Sequence, residues 1–510
     1  MSESGTTPSG QDGWLANLFR RRWVRGVALV LAVPTLLALA LGAYLWQRFG
    51  VDRPTEYADI EEHFKYGSTG GERVSGFPYW IFQALPQVCA EHLPGKGYAS
   101  LGLIFEDGRD LPIGMSKRHQ QGLDKTFLNC AVCHASTVRE GPGSKRRVYL
   151  GMPAMQLDIM GFEKFFFDCA KDPKFAAEFV VPEARRLAQA NGQDLDLLDR
   201  YLVYPIAVAL MRERLLTLAG RFSFAFDYPP WGPGRVDTFN SAKVLFNFPM
   251  HDLPEQEKNA PADFPSVWLQ GPRKGMELHW DGNNTMVEER NKSAAFGTGT
   301  TPPTLDVANI GRIEAWLLTK EPPKYPYSID GTKAARGAAL YNEYCVGCHG
   351  ASGRDFSGEY VGKVNPIAEI GTDRRRLDSY TYDLAVNQSA LYAGYPWRFQ
   401  HFRKTFGYAN MPLDGVWLRA PFLHNGSVPT LRDLLEPVSN RPSAFYRGYD
   451  VYDPVKVGFV SDVASEGDRR YFQLDTSVPG NSNAGHEGAR YGTELAPADK
   501  DALVEFLKTF

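Results

Sequence analysis

A Cys-x-x-Cys-His pattern occurs twice in this chain of 510 residues, and it points to chemistry more directly than any other feature. The two copies are Cys130, Cys133 and His134, and Cys345, Cys348 and His349. Two thiols three residues apart face one side of a helical turn. Both can therefore form thioethers with the vinyl groups at one edge of a haem, and the histidine can bind the iron. A zinc site that pools four thiolates is the alternative, but it needs no histidine after each pair. The sequence predicts two covalently bound haem c groups.

The elements around the second copy have the pattern of helices. Apolar residues at helical spacing precede Cys345. Residues 495–510 place leucine and phenylalanine along one side of an amphipathic helix. Cytochrome c domains commonly cross such a terminal helix over the helix that carries the first cysteine. We therefore expect a cytochrome c-like haem domain at residues 329–510.

Residues 51–328 are predicted to form the first haem domain. Helical periodicity dominates after its motif, over 155–171, 173–190 and 195–219, and this gives a helical insertion of roughly 130 residues. Residues 77–118, rich in aromatic residues, proline and glycine, are expected to be ordered but irregular. No strong strand alternation runs through the chain. The expected fold class is mainly α: two cytochrome c-like haem domains, many long loops and one N-terminal transmembrane helix.

An uncharged apolar run at residues 27–46 has about the length needed to cross a bilayer. Four arginines precede it, at Arg20, Arg21, Arg22 and Arg25. By the positive-inside rule, residues 1–50 form a cytoplasmic N-terminus and an inner-membrane anchor, and the rest of the chain lies in a bacterial periplasm. A cleaved signal peptide is the alternative, which the length of the run and its weak cleavage site disfavour. The net charge of −3 gives no indication of a nucleic-acid partner.

Cys89 and Cys169 lie outside the two motifs. In an oxidising compartment they can form a disulfide between the N-terminal arm and the region after the first motif. Two buried free thiols are the alternative, and the sequence leaves the choice open.

Two further segments carry a family resemblance. Residues 279–290, HWDGNNTMVEER, and residues 418–435, LRAPFLHNGSVPTLRDLL, resemble the F-W-D-G-R-A-x-x-L-E-E-Q and A-P-Y-x-H-x-G-S-V-x-T-L elements of the bacterial dihaem cytochrome c peroxidases. Relatives of those enzymes include the dihaem rubber oxygenases and the enzyme that matures the tryptophan-derived quinone of methylamine dehydrogenase. The resemblance covers most of the predicted periplasmic chain.

In the first of these segments, the resemblance assigns Trp280 to electron passage between the haems. Glu288 and Glu289 match two acids that can act in proton transfer, although a solvated helix face explains such acids equally well. Two departures matter, since Asn283 replaces the arginine of the peroxidases and Arg290 replaces a glutamine near their peroxide-binding face.

In the second segment, the resemblance places His424 close to the second haem. The peroxidases bind their electron-entry haem with a methionine about fourteen residues later, and that position here is Val438. His486, in a loop rich in glycine and asparagine, is the predicted distal ligand instead, with Met411 as the second choice. This arrangement is similar to that of the rubber oxygenases, whose C-terminal haem is bound by two histidines, and it favours a lower potential than a His/Met pair.

The remaining candidates are less specific. Arg235 can pair with a haem propionate or with Asp237 in a structural ion pair. Calcium is an expectation from the peroxidases alone, near 419–421, where no acidic cluster supports it. The sixth position of the first iron is either open or filled by one of four residues near the first motif, Met115, His119, Met152 and Met155.

Two functions remain in competition at this level. One is an oxidoreductase in which the first haem is the reaction site for peroxide or dioxygen and the second relays electrons, and we favour it. The other is a membrane-tethered electron carrier with both haems six-coordinate. The partners expected are a redox protein or a small-molecule oxidant, and the inner membrane. The substrate is not specified by any residue.

Overall fold

The computed structural model describes residues 11–510. It forms two compact units: one comprises the described residues up to Arg53 together with His119–Leu123, and the other comprises Pro54–Arg118 and Asp124–Phe510. Both Cys-x-x-Cys-His motifs belong to the second unit.

The helices are numbered in chain order. They are α1 Gln11–Phe49, α2 Ile60–Tyr66, α3 Glu72–Ser75, α4 Tyr79–Val88, α5 Ile159–Lys171, α6 Ala177–Ala190, α7 Tyr204–Arg221, α8 Thr238–Leu245, α9 Val287–Gly297, α10 Val307–Leu317, α11 Gly331–Tyr344, α12 Val346–His349, α13 Ile367–Ile370, α14 Arg375–Ser379, α15 Tyr382–Leu391, α16 Leu431–Leu434 and α17 Pro497–Leu507. A short π-helical turn, Asp199–Val203, leads into α7.

The strands are short. They are β1 Asp52–Pro54, β2 Phe77–Pro78, β3 Met115–Gln120, β4 Leu123–Leu128, β5 Ala135–Val138, β6 Arg147–Leu150, β7 Arg235–Val236, β8 Ala262–Asp263, β9 Val364–Pro366, β10 Gly407–Ala409, β11 Ala444–Arg447, β12 Tyr452–Asp453, β13 Gly458–Phe459, β14 Ser465–Glu466, β15 Arg469–Arg470 and β16 Phe472–Asp475. Among the described residues β2 pairs with β4, and β5 with β6, β7 with β8, β10 with β9 and β11 with β16, all antiparallel.

The N-terminal helix α1 contains the predicted apolar run. Its segment Arg20–Phe49 is long and apolar enough to cross a membrane. A signal sequence would pass the same test of length and composition. Pro34 lies within the helix without ending it, which is common in membrane helices because neighbouring groups satisfy the freed backbone carbonyl.

The second motif lies where α11 crosses the C-terminal helix α17, as the sequence predicts. Gly337 makes the crossing possible, because a Cβ at this position would lie 2.0 Å from the Ala502 carbonyl oxygen. On the same side, the ring of Tyr341 lies 5.0 Å from that of Phe510. The Tyr341 hydroxyl donates to the Gly350 carbonyl just beyond the motif (2.7 Å). The helix crossing therefore positions the residues on both sides of the motif.

This crossing gives a first testable prediction. Gly337→Ala should lower the free energy of unfolding by about 1–3 kcal/mol, because the added methyl group forces the helices apart. Denaturant titration followed by circular dichroism measures the change. Gly311→Ala in α10 is the matched control, because a Cβ there meets nothing within 4 Å, and it should be neutral or stabilising by at most about 1 kcal/mol. Equal stability of the two variants would contradict this account of the crossing.

The region before the first motif differs from the expectation of irregular structure. It contains α4 and the strands β3 and β4, which lead directly into Cys130. The alternation of β4 is weak in sequence because it mixes charged and apolar residues, LDKTFL. Cys89 at the end of α4 forms a disulfide with Cys169 in α5, with Cα atoms 5.6 Å apart. The disulfide hypothesis is therefore the one that the structure supports. The helices predicted after the motif are present as α5, α6 and α7.

Candidate haem-binding sites

The first motif is held at its start by Asn129. Its side-chain oxygen accepts from the Ala131 amide (3.0 Å), and its amide nitrogen donates to the Gly67 carbonyl (2.9 Å). A single 3-10 turn, Cys130–Val132, follows. His134 donates from Nδ1 to the Pro265 carbonyl (2.9 Å), which leaves Nε2 without a proton. A backbone carbonyl on the other ring nitrogen is the usual partner of a histidine that binds a metal.

A cavity of about 320 Å³ adjoins this motif. Cys130, Cys133 and His134 line one part of it. Its other walls are mainly apolar and come from α8, α9, α10 and the residues around β8; they include Phe239, Phe296, Ile313 and Leu317. Apolar walls around two cysteines and a histidine with a free Nε2 fit the edge, face and iron of a haem.

Polar residues enter this cavity from residues 279–290. His279, Trp280, Asn283 and Arg290 all line it. Arg290 is 8% exposed, and within the described residues its guanidinium forms no ion pair. Burial and the neighbouring Arg273 lower the pKa of Arg290 to about 10, so it stays charged at neutral pH. A buried unpaired cation in a cavity is suited to an anionic group such as a propionate or a reduced oxygen species.

The two acids predicted for proton transfer do not line the cavity. Glu289 is buried and accepts from the amides of Gln400 (2.8 Å) and His401 (3.1 Å), from the His401 ring (2.8 Å) and from Asn284 (2.9 Å). Glu289 therefore holds residues 400–401 against α9 through these hydrogen bonds, and its carboxylate is not solvated. Glu288 lies nearer the surface, 3.7 Å from Lys274.

The four residues considered for the first iron also lie outside the cavity lining. Met152 and Met155 belong to a buried core with Trp268 and Trp417. Met115 is fully buried in β3. The two methionines after the motif therefore have the core-filling role usual for this residue.

The second motif has the same proximal arrangement. His349 donates from Nδ1 to the Met411 carbonyl (2.7 Å). Met411, considered as a distal ligand, thus contributes its backbone on the proximal side. His486 lies close by, and its ring centroid is 6.3 Å from that of His349. Imidazole nitrogens bind metals at about 2 Å, so two imidazoles on either side of one iron have centroids roughly 6 Å apart. The pair fits a haem iron between them.

The loop that carries His486 is fixed by buried hydrogen bonds. Arg441 donates to the carbonyls of Gly485 (2.8 Å) and His486 (3.2 Å). The Asn-Gly-Ser of the second resembling segment contributes as well, because Asn425 and Ser427 both donate to the Ser482 carbonyl (3.0 and 2.9 Å). Burial and His349 lower the pKa of His486 to about 3, so its imidazole is neutral and able to bind a metal. The Asn-Gly-Ser part of the resembling segment therefore helps to fix the loop that carries His486.

His424 and Arg235 lie near this loop without touching the paired rings. The His424 ring stacks on Tyr408, with centroids 4.1 Å apart, and burial lowers its pKa well below the usual value. Arg235 donates to Asn481 (2.7 Å), and its Nε has no partner among the described atoms. It does not pair with Asp237, whose carboxylate instead caps α8 through the Asn240 amide (3.1 Å). Arg235 is thus buried without a carboxylate partner, and burial, with Arg447 nearby, lowers its pKa to about 9.

Trp280 is hydrogen-bonded to the chain segments that hold His134 and His349. Its ring lines the first cavity, and its Nε1 donates to the Asp263 carbonyl (2.8 Å). Pro265, two residues further, holds His134. The Trp280 backbone carbonyl accepts a hydrogen bond from the Ala409 amide (2.8 Å). Ala409 lies two residues before Met411, whose carbonyl accepts from His349. Short paths of hydrogen bonds and backbone therefore lead from Trp280 to both motif histidines.

In the segment suggested for calcium, Arg419 forms hydrogen bonds to the nearby oxygen atoms. Arg419 donates to the carbonyls of Pro412 (2.7 Å) and Asp414 and to the Asp414 carboxylate (2.5 Å). Among the described residues, the one group of three potential metal ligands is Glu91, His92 and Asp172, which lies elsewhere.

Some residues that line the first cavity were not predicted from the sequence. Arg376 lines the first cavity and pairs with Asp281 of the Trp-Asp-Gly element (3.0 Å). Glu163 of α5 lines it too, and burial raises its pKa to about 8. No spacing signal links these residues to the motif, because they arrive from distant elements. His279 did carry a signal, since the peroxidase element has phenylalanine there.

The paired cysteines with their oriented histidines, in a largely helical chain with a crossed C-terminal helix, define a c-type cytochrome. Comparison with known proteins agrees: residues 407–446 match the family described as RoxA-like, cytochrome c-like, which implies covalently bound haem c. The chain is similar to the uncharacterized protein y4iJ of Sinorhizobium fredii, with 30% identity over 605 aligned positions, 93% of this chain and 98% of that protein. It therefore belongs to the family of y4iJ. It is also 32% identical to y4iM of the same organism, over 48% of this chain and 64% of that protein.

Proposed function

We propose that this protein is a membrane-anchored, periplasmic dihaem c-type cytochrome that acts as an oxidoreductase. In this proposal the first motif is the reaction site for peroxide or dioxygen, and the second is the electron relay. The observation that carries the proposal is the contrast between the two sites. His349 faces a second imidazole at 6.3 Å, whereas His134 opens onto a cavity of about 320 Å³.

A haem bound through Cys130, Cys133 and His134 would supply the redox chemistry at the first site. The protein's own residues prepare its surroundings. The apolar walls from α8 and α10 limit the entry of water, which strengthens every electrostatic interaction inside. Arg290 provides positive charge without a competing carboxylate, so negative charge that develops on an oxygen ligand is stabilised.

The second site is suited to electron relay. Burial lowers the pKa of both His486 and His349, which favours the neutral imidazole form that binds a metal. The resemblance to the peroxidases assigns Trp280 to the path between the haems, and its hydrogen bonds towards both axial histidines support that role. The redox partner of this site remains a protein or a small oxidant, and α1 would hold both sites close to the inner membrane.

Stopped-flow oxidation of the reduced protein tests the proposal. Peroxide or dioxygen should oxidise the second haem by way of the first, and Trp280→Leu should slow that oxidation by at least an order of magnitude. Trp397→Phe is the control, because this ring packs on Tyr395 and does not line the cavity. If neither oxidant reacts at the first haem, the tethered electron carrier becomes the better description.

A further inference from the structure

The helical insertion after the first motif has no role in the proposed function, and its helix α7 has an exposed apolar side. Leu202, Ile206 and Leu210 recur every four residues along the π-helical turn and α7, so their side chains lie along one side of the helix. These three residues and Tyr201 are between 49% and 77% exposed. Together the four residues form what we call the α7 stripe.

The opposite side of α7 already packs in the protein interior. Tyr204, Val208 and Met211 are buried there, so the α7 stripe is not needed to hold the helix in place. Residues 201–211 are all uncharged, and a helix that is apolar all round is normally covered on every side. A contiguous exposed apolar patch marks a surface that contacts a protein, a ligand or a membrane. The stripe therefore indicates a partner beyond the described residues.

The composition of the α7 stripe and of its ends suits the surface of a bilayer. Aliphatic side chains together with a tyrosine are typical of helices that lie in the membrane interface. Arg200 and Arg212 stand at the two ends of the uncharged run, and long arginine stems can cover apolar surface while their charged groups reach the headgroups. Asp199 and Glu213 stand beside these arginines. The charges are therefore balanced, and contact with lipid depends on apolar burial and not on anionic lipid.

The N-terminal helix supplies the reason why this partner is lipid. Within the described residues, α1 is the helix long and apolar enough to cross a membrane, so α7 is suited to lie on a bilayer and not to cross it. The helix α1 ends at Phe49 and α2 begins at Ile60. The residues between them span at most about 35 Å even when fully extended. The unit that carries α7 is therefore held within reach of the bilayer that α1 would cross.

We propose that the α7 stripe inserts into the headgroup boundary of this bilayer, so that the helical insertion forms a second, peripheral membrane contact. The inference rests on the proposed function, because the membrane anchor brings the bilayer to the stripe. It also bears on the reaction site, since Phe222, which directly follows α7, lines the first cavity. Leu210 lies about 18 Å from Phe222 along the helix axis. Contact through the stripe thus keeps the first cavity close to the membrane surface.

Quenching of a fluorescent label by lipid tests this contact in the full-length, haem-loaded protein. Ile206→Cys and Leu210→Cys are each labelled with nitrobenzoxadiazole and reconstituted in phosphatidylcholine nanodiscs with and without nitroxide-labelled lipid. The introduced thiol is available for labelling, because Cys89 and Cys169 form the disulfide and the motif cysteines carry haem in the proposed function. The nitroxide lipid should lower the emission at both positions by about twofold or more. Added anionic lipid should leave this quenching unchanged.

Val455→Cys is the matched control, because Val455 is also apolar and is 77% exposed but lies outside the helical insertion. Its label should be quenched far less than the labels on the α7 stripe. Equal quenching at the stripe and at the control would overturn the proposal. A blue-shifted stripe label that nitroxide lipid does not quench would also overturn it, because a protein, such as a second copy of this chain, would then cover the stripe.

Failure of the proposed function gives a different result. A mass spectrum of the purified protein that lacks α1 would remove the proposed anchor and, with it, this inference. A protein that retains α1 and reacts with peroxide or dioxygen, but whose stripe labels are not quenched, would end the membrane contact of α7 alone.

Discussion

Replacing Cys130 and Cys133 together by alanine should halve the covalently bound haem and abolish the reaction with peroxide and dioxygen. Without both thioethers the first haem is held only by His134 and by apolar contacts, and it should be lost during purification. The second haem should remain, still low-spin and reducible. Haem-stained gels and the pyridine haemochrome absorbance per protein measure the loss, and stopped-flow absorbance measures the reactivity.

Two matched variants make this result specific. Cys345→Ala with Cys348→Ala should also halve the haem content but should leave the first site able to bind an oxidant. Cys89→Ala with Cys169→Ala should keep all the haem, because these residues form the disulfide, although the free energy of unfolding should fall by about 2–4 kcal/mol. Full haem content in the Cys130 and Cys133 variant would contradict the assignment of the first motif.

Replacing His486 by alanine should convert the second haem from low to high spin. It should also raise the reduction potential by on the order of 100 mV, since axial ligation sets haem potentials over a range of about 0.8 V. The reason is the loss of the imidazole that faces His349 at 6.3 Å. Electron paramagnetic resonance and a spectroscopic redox titration measure the two effects.

The control for this substitution is His92→Ala. His92 is partly exposed and pairs with Asp172 (3.0 Å), so neither the spin state nor the potential of either haem should change. A low-spin second haem in His486→Ala would show that another residue fills the sixth position. Met411 is the alternative ligand that the sequence offers, although its backbone carbonyl accepts a hydrogen bond from His349.

Sequence reasoning reached the local features of this protein. Some features depend only on residues that are neighbours in sequence, so they can be predicted without knowledge of the fold. They are the spacing of the motifs, the apolar run of α1 and the periodicity of α11 and α17. The prediction of His486 as distal ligand also came from local sequence, because the methionine found in the peroxidases is absent at Val438 and a histidine stands in a loop rich in glycine and asparagine. That prediction still awaits measurement of the ligand.

The surroundings of the first site could not be predicted in the same way. Its cavity is lined by residues from α5, α8, α9, α10 and α14, and no local pattern links those elements. The hairpin strands β3 and β4 were missed because charged side chains interrupt their alternation. Glu289 matched an acid of the peroxidases by sequence, yet its role depends on the amides of Gln400 and His401, which only the fold brings to it.

The central claim, a reaction site at the first haem and a relay at the second, is tested most directly by electron paramagnetic resonance on the wild-type protein before and after half-reduction. The account predicts a high-spin ferric signal from the first haem in at least one of the two samples, because an iron with an open position is high-spin and can bind an oxidant. Two haems that stay low-spin at every stage would contradict it and would leave a tethered electron carrier.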